Sequence, residues 1–113
     1  MKERIFTPTP YSYSSAVKAG DFVFLGLHRG GGNNFKAQLE STLEGIKETL
    51  LEYDMGLENL VKVNVWLKNI GDLPQMEKLF YMYFPPENYP ARMTATTEFI
   101  DMDCLIMIEG TAY

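Results

Sequence analysis

At 113 residues, 46% apolar and 22% charged, the chain has the size and make-up of one globular domain spanning residues 1–113. Its formal net charge of −5, with no basic run, argues against nucleic acid as the main partner, since that binding is driven by clustered Lys and Arg. No stretch is long and apolar enough to span a membrane, Met1-Lys2-Glu3-Arg4-Ile5 is no signal region, and the single cysteine, Cys104, fits a reducing compartment, so a cytoplasmic protein is expected.

Residues 2–6 suit a short first strand, closed by Thr7-Pro8-Thr9-Pro10, because prolines at that density do not sit in a central ladder. Residues 11–18 read as extended and Ala19-Gly20-Asp21 as a turn, leading into a strong strand over 22–27. Alternation sets Phe22 and Phe24 on one face and Val23, Leu25 and Leu27 on the other, so both faces need cover. His28 ends this strand. It is the only histidine, and with no Ser or Cys partner in view a catalytic role competes with a structural one. Gly30-Gly31-Gly32 lacks the Lys-Ser/Thr or G-x-G-x-x-G pattern of a phosphate cradle and reads as a turn.

Leu39, Leu43, Ile46 and Leu50 form one stripe of a helix over 35–53, capped by Asn33 or Asn34 and stopped near Gly56. Residues 61–67 alternate, with Val61, Val63, Val65 and Leu67 on the apolar face and Trp66 on the other, a sign that the second face is not fully wet. Asp72 and Gln75 resemble a capping box for a second helix, whose stripe is Met76, Leu79, Phe80, Tyr83 and Phe84 and which Pro85-Pro86 ends.

Tyr89-Pro90 gives a stiff, extended entry to a strand over 91–97. Arg92, Thr94 and Thr96 share one face of it, while Met93, Ala95 and Thr97 share the other. A guanidinium with hydroxyls beside it suits a small anion, and it equally suits a surface ion pair. Asp101 and Asp103 lack the oxygen-rich surround of a calcium loop, so no metal site is expected. The last strand, 105–112, is apolar on both faces for most of its length, with Cys104, Ile106 and Ile108 on one and Leu105, Met107, Glu109 and Thr111 on the other.

The main order is β-β-α-β-α-β-β, an α/β (α+β) sheet with both helices on one face. Two helices cannot cover two faces, yet the first-hairpin and last strands are apolar on both. The missing cover is most simply another copy of the chain, so a homo-oligomer is expected, its bare sheet faces packed together.

The element order, with Tyr13-Ser14-Ser15-Ala16-Val17-Lys18-Ala19-Gly20-Asp21, Val61-Lys62-Val63-Asn64-Val65-Trp66-Leu67 and Tyr89-Pro90-Ala91-Arg92, resembles the RidA/YjgF family over residues 11–112. The resemblance implies a chorismate-mutase-like homotrimer with ligand pockets between subunits and no metal or organic cofactor. It also implies hydrolysis of reactive 2-enamino and 2-imino acids to 2-keto acids and ammonia. Some members are described as endoribonucleases or translation inhibitors.

In that frame Arg92 falls on the arginine that grips the substrate carboxylate with both guanidinium arms, and Tyr13 on a tyrosine that reaches a neighbouring subunit's pocket. Thr94 stands where many members have cysteine, Gly26 and Leu27 replace a Ser-Gly step, and Glu77 stands where the second helix usually carries asparagine. Met107 takes the place of the glutamate that positions the attacking water, and Glu109, two residues on along the same face, is the group that can substitute for it. Methionine cannot act as a general acid or base. The glycine loop is also shorter than the family norm. Three functions follow: deamination using Arg92, Tyr13, Thr94 and Glu109; binding of small carboxylates without turnover; and RNA cleavage, which the acidic charge opposes.

Overall fold

A computed structural model describes residues 4–113. Six strands form one sheet in the order β1-β2-β3-β6-β4-β5. They are β1 (Arg4–Pro8), β2 (Ser14–Ala19), β3 (Phe22–His28), β4 (Leu60–Leu67), β5 (Ala91–Thr96) and β6 (Ile106–Ala112), with helices α1 (Phe35–Leu51) and α2 (Leu73–Tyr83). The expected architecture is present, with β1 added at one edge. Lys2, where the first strand was expected to begin, lies outside the described residues. The strand also runs on through Thr7 and Pro8 rather than closing before them. An edge strand tolerates proline because one of its sides has no ladder to complete, and the β1–β2 register slips between Thr7 and Pro8.

The helices cover one face. Leu39, Leu43, Ile46 and Leu50 of α1 are fully buried with Met76 of α2 against Val23, Val63, Val65, Ile106 and Ile108. Asn34 caps α1, its Oδ1 accepting from the Ala37 N–H at 2.8 Å. At α2 the anticipated capping box does not form. Asp72 sits in helical geometry and its side chain makes no capping bond, while Pro74 supplies the preset first turn. Burial raises the Tyr83 hydroxyl above the usual tyrosine range, and the carboxylates of Glu40 and Glu44 add to the effect.

The glycine loop is a tight turn laid on α1. The Gly30 N–H donates to Thr42 Oγ1 at 2.9 Å and the Gly31 N–H to Ser41 Oγ at 3.1 Å, so these donors are spent within the fold. Gly32 has φ +141°, and a Cβ there would stand 2.6 Å from that of Ala37. Gln38, buried in α1, donates to the Gly32 and Asp103 carbonyls and accepts from the Leu105 N–H, stitching the helix to the entry of β6.

Among the described residues, no helix covers the other sheet face. Phe22 (42% exposed), Phe24 (48%) and Phe6 (55%) stand on it. Their registry with Ala19, Thr111 and Val17 places those partners on the same side. Two register shifts alter the expected faces. Pairing of β3 with β6 passes from Leu25↔Gly110 to His28↔Ile108, three residues against two. That extra residue turns Leu27 to the open face and His28 to the helix face. A similar shift between Leu60 and Lys62 leaves Val61 45% exposed, although alternation placed it with Val63.

Candidate functional site

Arg92 lies on β5, an edge strand that pairs in parallel with β4 (Val63↔Arg92, Val65↔Thr94). This registry places Arg92 and Thr94 on the helix side of the sheet, beside α2. The Arg92 guanidinium stands 5.4 Å from the centroid of the Phe80 ring, within cation–π range. Its Nη2 donates to Glu77 Oε1, forming an ion pair with side chains 28% and 39% exposed. Among the described residues Glu77 is its hydrogen-bond partner, which leaves donors on Nη1 and Nε. These groups line a hollow of about 280 Å³ together with Tyr81, Phe84, Tyr89 and Pro90, and the Tyr81 and Tyr89 rings meet edge to face at 5.8 Å. Thr94 Oγ1, on the same face, is buried with no hydrogen-bond partner.

The remaining candidates gather on the opposite face. Tyr13, Leu27 and Met107 line an apolar groove of about 770 Å³ with Tyr11, Trp66 and the 97–101 segment. Tyr13 is 57% exposed and stacks on Tyr11 at 6.2 Å. Its backbone is held by Thr9, whose Oγ1 donates to the Tyr13 carbonyl at 2.6 Å. Trp66 and Met107 are direct cross-strand partners, and Trp66 Nε1 is buried without an acceptor. Gly26 and Leu27 sit in the bulge that the β3–β6 ladder skips. Glu109 shares the face of Met107 but is not among the residues lining the groove. It pairs with Asn64, whose Nδ2 donates to its Oε1 at 3.4 Å.

The candidate residues therefore fall into two groups that one chain does not bring together. Arg92 and Thr94 face the helices. Tyr13, Leu27, Met107 and Glu109 face the bare side, with β6 two strands from β5, about 10 Å at the usual spacing. A hollow of about 820 Å³ at the β2–β3 hairpin, among Arg4, Lys18, Phe22 and Phe24, contains none of the candidates. The sequence placed Glu77 on a helix but did not show it as the counter-ion of Arg92. The signal was the spacing of an acidic residue three before Phe80, on the turn of α2 that meets β5. Asp101 and Asp103 are both engaged by Arg29, at 2.5 Å and 3.8 Å.

His28 is structural in this setting. Its Nδ1 lies 2.8 Å from the Gly26 carbonyl and its Nε2 2.9 Å from Thr49 Oγ1 on α1, so the ring pins the β3 bulge to the helix. Replacing His28 with alanine removes both bonds at a half-buried position and should cost about 1–2 kcal/mol. Thermal unfolding should show a fall in Tm of about 4 °C per kcal/mol for a chain of this length. An unchanged Tm would deny the ring this role.

The endoribonuclease L-PSP family model matches residues 4–113. A RutC family protein of Pyrococcus horikoshii is 35% identical, with 100% of this chain and 98% of the relative covered. The crystal structure of a YjgF-family protein from Neisseria meningitidis superposes with a TM-score of 0.92 at 22% identity, covering 97% of this chain and 93% of that one. That of RidA from an Antarctic Psychrobacter superposes at 0.86 with 27% identity, covering 96% and 93%. Sequence and fold thus agree over essentially all of the described residues, and the chain belongs to the endoribonuclease L-PSP family, whose relatives carry the RutC, YjgF and RidA names.

Proposed function

We propose that the protein hydrolyses reactive 2-imino and 2-enamino acids to 2-keto acids and ammonia, at a site completed by a second copy of the chain. The observation that carries this reading is the setting of Arg92: a guanidinium backed by an aromatic ring, in a hollow of small-metabolite size, with donors still free. Arg92 holds the ligand carboxylate, and Thr94, two residues on along the same face, orders the pocket behind it. The apolar groove of Tyr13, Leu27 and Met107 on another copy closes over the ligand. The bare apolar sheet face supports such an assembly, and the family resemblance supports a trimer.

The imine carbon is already electrophilic, so chemistry needs little beyond position and charge. An enamine first takes a proton at C3 from solvent water to become the iminium. Water adds through oxygen to C2 of the iminium, one of its protons passes from oxygen to nitrogen, and the C2–N bond breaks. Ammonia leaves, the C2 carbonyl forms, and the second water proton passes to the released ammonia, giving ammonium. We assign water positioning to Glu109, the one carboxylate of β6. Neither metal nor organic cofactor enters this scheme.

The test supplies 2-aminocrotonate from a dehydratase acting on threonine and follows 2-ketobutyrate formation. The protein should accelerate keto-acid release above the spontaneous rate. Equal rates with and without it would sink the enzymatic reading.

A second reading, a carboxylate binder without turnover, is favoured by one observation: the β6 position that lines the groove, where the family resemblance implies the water-positioning glutamate, is Met107. Calorimetric binding of 2-ketobutyrate with no acceleration would select it. RNA cleavage, which the family description names, fits poorly with 15 acidic against 10 basic residues.

A further inference from the structure

Glu77 makes the Arg92 hollow unlike a plain anion site. The pair is electrically neutral, and Glu77 Oε1 occupies one arm of the guanidinium while, among the described residues, its other carboxylate oxygen has no hydrogen-bond partner. Phe80 fixes the guanidinium from its ring face, and Tyr81, Tyr89 and Phe84 restrict the hollow to about 280 Å³. An incoming carboxylate that binds the remaining donors of Arg92 must lie beside the Glu77 carboxylate. Two like charges a few ångströms apart in a partly desolvated hollow repel unless a cation lies between them.

We propose that Glu77 is a specificity-determining residue that makes this site select small carboxylates bearing a cationic nitrogen next to the carboxylate, an α-iminium or α-ammonium group, over simple keto acids. Arg92 takes the ligand's carboxylate and the free oxygen of Glu77 accepts an N–H from its nitrogen. The four charges then sum to zero. A keto acid brings only the negative charge and a carbonyl oxygen that Glu77 cannot hydrogen-bond, since an ionised carboxylate only accepts. The inference rests on the proposed Arg92-dependent function and gives it a direction. The iminium acid is held as a zwitterion, and its hydrolysis leaves an anion that Glu77 repels, which speeds product release.

The test uses two stable probes, 2-aminobutyrate for the zwitterion and 2-ketobutyrate for the anion, with Kd measured by calorimetry on the wild type and on Glu77→Gln, Glu77→Asp and Arg92→Ala. The wild type should prefer 2-aminobutyrate. Glu77→Gln should reverse this, tightening 2-ketobutyrate and weakening 2-aminobutyrate by about tenfold each, the scale of one charge-assisted hydrogen bond. Glu77→Asp should keep the wild-type order. An unchanged preference in Glu77→Gln, with binding still lost in Arg92→Ala, would overturn the role of Glu77 and leave the Arg92 site standing. Equal loss of both probes in Glu77→Gln would also overturn it, marking Glu77 as a mere support for Arg92. Binding of both probes by Arg92→Ala as tightly as by the wild type would overturn the underlying site itself.

Discussion

Replacement of Arg92 by alanine is expected to lower kcat/KM for imine hydrolysis at least 100-fold, with little loss of stability. A guanidinium–carboxylate contact in a partly desolvated hollow combines charge and directed hydrogen bonds, and these are roughly twice as strong as neutral ones. Losing both the bond and the orientation of the reacting carbon costs about 3 kcal/mol or more of transition-state stabilisation, the equivalent of that rate loss. The fold gives up much less. Arg92 and Glu77 are 28% and 39% exposed, and such pairs contribute about 0–1 kcal/mol. Lysine should fail nearly as badly. Its ammonium keeps the charge but not the planar fork, and it loses the guanidinium's contact with the Phe80 ring. Steady-state rates of the coupled reaction, with thermal unfolding as control, check this. Keto-acid release by Arg92→Ala at the wild-type rate would remove Arg92 from the mechanism.

The second large effect is recovery of activity on mixing two inactive variants. Arg92→Ala destroys the half-site on the helix side of the sheet, and Tyr13→Ala destroys the half-site on the bare side. If each working site takes Arg92 from one copy and Tyr13 from the next, some sites in a mixed ring combine the two intact halves. Random assembly of equal amounts makes that fraction about one quarter, whatever the number of subunits in a closed ring. Co-expressed variants should therefore regain about a quarter of wild-type activity, while each variant alone stays near background. Separately purified homo-oligomers mixed without exchange should show no recovery. If one chain held the whole site, co-expression would restore nothing. The placement of Tyr13 and Arg92 on opposite faces of one sheet motivates the experiment.

Much of the fold was legible residue by residue. The Leu39-Leu43-Ile46-Leu50 stripe, an asparagine cap at 33 or 34 and the alternation of 63–67 depend on neighbours three, four or two positions away, and the sequence contains all of those neighbours. Leu27 and Val61 were misplaced for the converse reason. Each lies at a shift of register that exists only in relation to another strand, so one extra residue flips a side chain that alternation alone had assigned. The Asp72–Gln75 pair had the right spacing for a capping box, yet the short turn before α2 puts Asp72 in helical geometry, where its side chain cannot reach back. Glu77 is the instructive case at the site. Its charge was plain, but its meaning depended on the crossover that sets α2 against the start of β5, and sequence separation conceals that contact.

By itself the sequence determined the element order, the helices' shared side, the apolar second face and the singular chemistry of Arg92 behind its proline turn. These are matters of period, composition and local geometry, which side-chain sterics and burial enforce over a few residues. The tertiary structure alone decided that Arg92 faces α2, that Glu77 neutralises it, that Met107 rather than Glu109 lines the groove with Tyr13, and that Arg92 and Tyr13 stand on opposite sides of the sheet. Strand order and register set those relations, and both arise from pairings between segments distant in the chain.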